Sequence, residues 1–214
     1  MSVAAVVVAA GRGTRFGGLK QFSVFDGETI AARSIRVARS VAEYVVLVVP
    51  EGYEGTGEGA DLVVIGGATR AASVRRGLER CLDAEIVLVH DAARPLASAA
   101  LFHAVVDAVR GGADAAIPGL RLTDTIKRVS VVDDDIFVTE TLERDELVAV
   151  QTPQAFRREL LVRAHASGAE ASDDAALVES TGARVVVVEG EAYNVKITRP
   201  EDLELLSIYE RLLP

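Results

Sequence analysis

VVVAAGRGTRFGGLKQF, Val6 to Phe22, changes character in the middle. An apolar run ends at Ala9-Ala10. Four glycines, Gly11, Gly13, Gly17 and Gly18, then alternate with Arg12, Arg15 and Lys20, with no acidic residue among them. An unbroken Val/Ala run suits a parallel strand covered on both faces. In open α/β sheets, ligands bind beyond the carboxyl ends of the strands. Glycines there let backbone N–H groups come close to phosphates, because no Cβ intervenes. The spacing matches neither G-x-G-x-x-G nor G-x-x-x-x-G-K-[ST]. The stretch is therefore either a phosphate-binding loop or a flexible surface loop with incidental basic residues.

The rest of the chain repeats the pattern. Val3–Ala9, Tyr44–Val49, Leu62–Ile65, Ile86–Val89 and Val185–Val188 are continuous apolar runs of strand length. Segments with helical spacing lie between them: Ile30, Ile35 and Val37–Ala38; Val74, Leu78 and Leu82; Leu101, Val105, Val106 and Val109. A last helix is expected near Pro200, with Leu203, Leu206 and Tyr209 inward and Glu201 and Asp202 suiting its first turn. Strands alternating with helices give an α/β fold with a mostly parallel sheet. No repeat, low-complexity tract or linker interrupts residues 1–214, which read as one domain.

One segment breaks the rhythm: RLTDTIKRVSVVDDDIFVTETLERDELVAV, Arg121 to Val150. Asp133–Asp135 between two β-branched runs reads as a hairpin turn. A hairpin of this size has little core of its own to cover it, so a second subunit is a natural place for it to pack.

The chain has 214 residues, 50% hydrophobic and 26% charged, enough for a sizeable core. Its net charge of −9 argues against nucleic-acid binding, which asks for a broad basic face. A basic cluster on an acidic chain suits a small anionic ligand. The single cysteine, Cys81, excludes an internal disulfide framework and reads as a small core residue. The start lacks a basic leader and no apolar run approaches membrane-spanning length, so neither a signal peptide nor a membrane segment is expected, and the protein reads as cytoplasmic.

Further motifs sit at strand ends. In VLVHDAARPL, Val87 to Leu96, an acid at a strand's carboxyl end is placed to hold Mg²⁺ alongside phosphate oxygens, and Arg94 suits bidentate phosphate contact. Equally, Asp91 caps a turn and pairs with Arg94; His90 is given no role. In VIGGATRAASVRRGL, Val64 to Leu78, Gly67 and Ser73 either line a base pocket or form an ordinary strand-to-helix turn, with Arg75 and Arg76 on a solvated face. Lys196 in YNVKITRPEDL alternates with Val195 and Ile197, so it points away from them, towards ligand or solvent. VQTPQAF, Val150 to Phe156, reads as a turn into a helix. SDDAALVE, Ser172 to Glu179, reads as a helix N-terminus that Asp173 and Asp174 cap.

In this order, AAGRGTRF, KQF, GGATRAASV, VHDAARP, TDTIKR, QTPQAF, SDDAALVE and NVKITRPEDL resemble the 2-C-methyl-D-erythritol 4-phosphate cytidylyltransferases of the non-mevalonate isoprenoid pathway. The resemblance implies a Rossmann-like nucleotidyltransferase domain with a protruding β-hairpin arm, residues 121–150, through which two subunits pair. It implies CTP and a sugar-alcohol phosphate as substrates and Mg²⁺ as cofactor, with Asp91 at the metal. Arg15, Lys20 and Lys196 would stabilise the α-phosphate and leaving group. Ala9, Ala10, Gly11 and Gly13 would contact the nucleotide through the backbone. Gly67 and Ser73 would recognise cytosine, and Asp91 would lie by the ribose. Arg94, Thr152 and Lys196 would face the acceptor, joined by Thr125 and Arg144 from the arm. Two departures stand out: Arg15 to Lys20 is short, with Leu19 where a proline is common, and Ala68 stands at a position acidic in some relatives. The rivals are a ribitol 5-phosphate cytidylyltransferase, a sugar-1-phosphate nucleotidyltransferase and a non-catalytic nucleotide-binding module.

Overall fold

A computed structural model describes residues 1–212. The elements run β1 (Val3–Val8), β2 (Val24–Phe25), β3 (Glu28–Thr29), α1 (Ile30–Ala38), β4 (Tyr44–Val49), β5 (Leu62–Ile65), α2 (Arg70–Leu78), β6 (Ile86–Asp91) and α3 (Ala99–Arg110). They continue with β7 (Ala115–Arg121), β8 (Lys127–Val132), β9 (Asp135–Thr141), β10 (Val148–Val150), β11 (Gln154–Arg157), α4 (Arg158–Ala166), α5 (Asp174–Glu179), β12 (Val185–Glu189) and α6 (Asp202–Leu212). Short 3₁₀ turns cover Lys20–Phe22 and Arg144–Glu146.

β5, β4, β1 and β6 lie side by side and parallel. β11 runs antiparallel between β6 and β7, and β12 pairs parallel with the far edge of β7. β10 and β11 share one edge of β7, parted at Gln151–Pro153. The reason the strands read as continuous apolar runs is visible in their alternation. Val3, Ala5 and Val7 with Val45, Leu47 and Val49 face α1 and α3. Ala4 and Val6 with Val46 and Val48 face α2, α4 and α5. Both faces are dry, so neither selects polar residues. A smaller cluster of Ile30, Leu96, Ile197 and Leu206 seats α6, with Phe16, Leu203 and Tyr209 packed on it.

Several expectations change in detail. α2 stops at Leu78; Cys81 takes the buried place beyond it and leaves Leu82 68% exposed. The apolar run Ile86–Val89 continues as strand through His90 and Asp91, which pair with Val7 and Val8 of β1. The last helix begins at Asp202, close to its expected start, with Leu203 N already donating to Pro200 O at 3.2 Å. QTPQAF is not a turn into a helix: after the turn, Gln154–Arg157 is a strand, and the helix starts at Arg158. A four-residue strand shows too little alternation for its period to be read. Lys196 sits on no regular strand; the neighbouring Ile197 N–H bonds to Ala93 O at 2.9 Å.

The hairpin is where the sequence puts it. Asp133 and Asp134 form its two-residue turn, with φ of 50° and 68°, the left-handed region such turns require. β8 and β9 join no other sheet. Val129 and Val131 pair with Val138 and Ile136 across the ladder, so all four share one face, which is exposed, Ile136 by 70%. No helix among the described residues is long and apolar enough to cross a membrane.

Candidate active site

The glycine-rich loop leaves the carboxyl end of β1 and closes on itself around one carbonyl. Gly13 O accepts from the N–H groups of Phe16, Gly17 and Gly18 at 2.9, 3.0 and 3.3 Å. Gly13 has φ 61°, and a Cβ there would lie 1.8 Å from Gly18 O. No other residue fits. Buried Gln21 ties both ends together, its Nε2 donating to Ala9 O at 2.6 Å and Gly11 O at 3.0 Å. Phe16 packs beside Ile197 and Leu206, and Phe22 stacks on Tyr53 with ring centroids 4.9 Å apart. Lys20 Nζ donates to Ile197 O.

Beneath the loop is a cavity of about 340 Å³. Ala9, Ala10, Gly11, Gly13, Arg15, Lys20, Gly67, Ser73, Asp91 and Lys196 all line it, so the structure brings together every residue the sequence assigned to the nucleotide and to catalysis. A second cavity, of about 440 Å³, is lined by Arg94 and Thr152, and again by Asp91 and Lys196. The two cavities thus share a wall. Thr125 and Arg144 reach neither cavity; both are exposed on the arm, and Arg144 Nη1 donates to Thr123 O at 2.6 Å.

The shared wall carries the strongest electrostatics. Asp91 Oδ1 accepts from Arg70 Nε at 3.2 Å, and Oδ2 accepts from Lys196 Nζ at 2.5 Å. Burial opposes charge on Asp91, but Arg70, Lys196 and Arg94 more than offset it and hold its carboxyl well below the usual carboxylate range. Lys20 is pushed below the ordinary lysine value, first by burial, then by Lys196 and Arg15. Arg94 is also lowered, chiefly by burial. Cations crowded in this way are relieved when a polyanion arrives.

Hydrogen-bond roles can be fixed from the acceptors. His90 Nε2 faces Arg94 O at 3.2 Å and must donate; Nδ1 then accepts from Thr152 Oγ1 at 3.1 Å. Burial pushes His90 down to about 4, so it is a neutral strut rather than a base. Thr152 Oγ1 also accepts from Asp91 N at 3.0 Å, so the threonine's own proton is spent inside the protein. Ser73 Oγ donates to Thr69 O at 2.8 Å and accepts from Gly67 N at 3.1 Å, leaving only an acceptor lone pair for a ligand. Gly66 must be glycine: a Cβ would lie 2.3 Å from Ala10 Cβ.

Arg70 is a site residue that sequence reasoning missed. It lines both cavities and bridges Asp91 to the fully buried Asp174, at 2.6 Å. A signal was present: a cation at the first position of a helix opposes the helix dipole and needs an anionic partner. Asp173 does cap α5, accepting from Ala176 N at 3.1 Å, but Asp174 does not; it pairs with Arg70 and His165. Arg76 is not merely solvated, since its Nη1 donates to Ile65 O and Gly66 O. No group of three or more His, Cys, Asp or Glu residues among those described forms a metal cluster, and Asp91 is the one carboxylate lining the glycine-loop cavity.

A mostly parallel sheet, a glycine loop over its strand ends and cations gathered beside a second cavity define a Rossmann-like α/β protein with a site suited to a polyanionic ligand. Comparison with known proteins narrows the class. The family model for 2-C-methyl-D-erythritol 4-phosphate cytidylyltransferase matches residues 3–211, and the chain belongs to that family. It is 46% identical to the enzyme of that name from Rhodococcus jostii, over 95% of this chain and 92% of the relative. It is 43% identical to that from Streptomyces avermitilis, over 94% and 89%. The crystal structure of the Thermus thermophilus enzyme superposes with a TM-score of 0.83 at 39% identity, over 99% of this chain and all of that one. Against the bifunctional enzymes IspD/IspF of two Anaeromyxobacter species, at 45% identity, the chain spans 55% of the relative's length.

Proposed function

We propose that this chain transfers CMP from CTP to 2-C-methyl-D-erythritol 4-phosphate, releasing pyrophosphate. The observation that carries the reading is the shared wall: Asp91 and Lys196 border both cavities, with Lys20 and Arg15 on the glycine-loop side and Arg94 on the other. CTP occupies the glycine-loop cavity and the acceptor phosphate enters from the second. An acceptor phosphate oxygen attacks the α-phosphorus in line. A new P–O bond forms there, the bond to the α–β bridging oxygen breaks, and pyrophosphate leaves with that electron pair. No proton need move. Negative charge grows on the α-phosphate and leaving group, where Arg15, Lys20 and Lys196 meet it. Backbone groups of Ala9, Ala10, Gly11 and Gly13 hold the triphosphate, and Arg94 orients the acceptor in the cavity that Thr152 helps to line.

The donor set suits Mg²⁺ brought in by the nucleotide. Such an ion usually takes one or two carboxylates and fills its shell with phosphate oxygens and water. Asp91 would hold it, and the bound ion would neutralise phosphate charge. We place the reaction in the cytoplasm, where a nucleoside triphosphate is supplied. We also propose a homodimer through residues 121–150. A lone two-stranded hairpin with one bare apolar face is marginal in water, and such a face marks an interaction surface. Thr125 and Arg144 would then serve the partner's acceptor cavity.

Pyrophosphate release with CTP tests the reading. Methylerythritol phosphate should support turnover well above ribitol 5-phosphate. Comparable rates with ribitol phosphate would reassign the acceptor, and CTP binding with no release for any alcohol phosphate would favour a binding module. UTP should be at least about 100-fold poorer in kcat/KM, because the lone pair left on Ser73 accepts from a cytosine amine but opposes a uracil carbonyl. Equal use of the two nucleotides would remove Ser73 from base selection.

A further inference from the structure

Arg70 begins α2, just after the N-cap Thr69. It donates to Asp91 at 3.2 Å and to Asp174 at 2.6 Å, while the free oxygen of Asp174 meets His165 Nε2 at 2.9 Å and that of Asp91 meets Lys196 at 2.5 Å. One continuous chain, His165–Asp174–Arg70–Asp91–Lys196, therefore links α4 and α5 through α2 to β6 and on to the segment before α6. It passes between the two cavities. Asp174 and His165 are buried and inert towards ligand; Lys196 is half exposed and faces it.

We propose that Arg70 is a positioning residue for the transfer reaction: held by Asp174, it fixes the Asp91 carboxylate, which fixes the Lys196 ammonium between nucleotide and acceptor. The inference rests on the functional reading above. Lysine has a long flexible stem, and Lys196 lies on an irregular segment, so its own backbone does little to aim it. Arg70 supplies a rigid planar fork that holds two carboxylates at once.

Arg70→Met alone leaves Asp174 a buried charge without its cation and can fail to fold. The informative variant is Arg70→Met combined with Asp174→Asn, which removes charge and counter-charge together. It should melt close to the unmodified protein and bind CTP with KM little changed, while kcat falls by about 10–100-fold, the scale of misplacing a reacting group by about 1 Å. Asp174→Asn alone keeps an amide oxygen that accepts from Arg70, so Arg70 stays held on Asp91 and most of kcat should remain. Arg70→Lys should recover part of it. A crystal structure of the double variant should show Asp91 and Lys196 displaced. A folded double variant with near-normal kcat overturns the proposal, as does Asp174→Asn being as slow as the double variant. Turnover by the unmodified protein tests the functional reading separately. Were no acceptor to turn over, Asp91 and Lys196 unmoved in the double variant's structure would still overturn the role of Arg70.

Discussion

Lys20→Ala is expected to reduce kcat by about 10²–10³-fold, the usual cost of losing one well-placed donor to transition-state charge, with a much smaller change in CTP affinity. Lys20 lines the glycine-loop cavity, and the only hydrogen-bond partner of its ammonium among the described residues is a backbone oxygen, Ile197 O. Burial, Lys196 and Arg15 all act against its charge. In the ground state a triphosphate already satisfies part of that charge. In the proposed transfer, negative charge accumulates on the departing pyrophosphate as the α–β bond breaks, and the ammonium would gain most at that moment. An interaction stronger in the transition state appears in kcat rather than in binding. Steady-state kinetics with CTP titrations, alongside calorimetric CTP binding and a melting curve, separate this from a folding defect. A folded variant with near-normal kcat, or one whose whole loss lies in KM, removes Lys20 from the catalytic set. Lys20→Arg is a useful companion: it keeps the charge but replaces a compact ammonium with a planar guanidinium, so partial recovery is expected.

How much of this is readable from sequence depends on distance along the chain. The strands of the central sheet are legible because burial on both faces leaves an unbroken apolar signature, as in Tyr44–Val49. The hairpin turn is legible because two adjacent aspartates tolerate left-handed backbone better than most residues. The glycine loop is legible as a loop, but its closure around Gly13 O and the brace from Gln21 are not, since nothing local specifies which carbonyl gathers the N–H groups. β11 reads as part of a turn because its four residues gain their strand character from β6 and β7 on either side. The Arg70–Asp174 pair spans 104 positions and Lys20–Ile197 spans 177. Such partners meet only because the sheet topology brings the ends of β1, β5 and β6 to one edge. Asp173 and Asp174 make the point at its narrowest: adjacent, chemically alike, one caps a helix and the other is the buried counter-ion of the site.

The arm carries the prediction with the sharpest arithmetic. Within one subunit, Arg144 is exposed and its guanidinium rests on Thr123 O, away from both cavities. If residues 121–150 cross a two-fold axis, each complete site combines one subunit's Lys20 with the partner's arm. Lys20→Ala and Arg144→Ala homodimers should each be nearly inactive, the first lacking its ammonium in both sites and the second its arginine. When the two are mixed and allowed to exchange, a mixed dimer places both lesions in one site and restores an intact Lys20 and an intact Arg144 to the other. Random exchange makes half the dimers mixed, each with one working site of two, so activity should return to about a quarter of the unmodified level by the arithmetic of a closed isologous pair. Differently tagged subunits, co-purified after mixing, establish that exchange has occurred. If it has and no activity returns, Arg144 acts within its own subunit or not at all. If Arg144→Ala is fully active as a homodimer, the arm serves assembly alone, and the exposed face of Val129, Val131, Ile136 and Val138 is what it contributes.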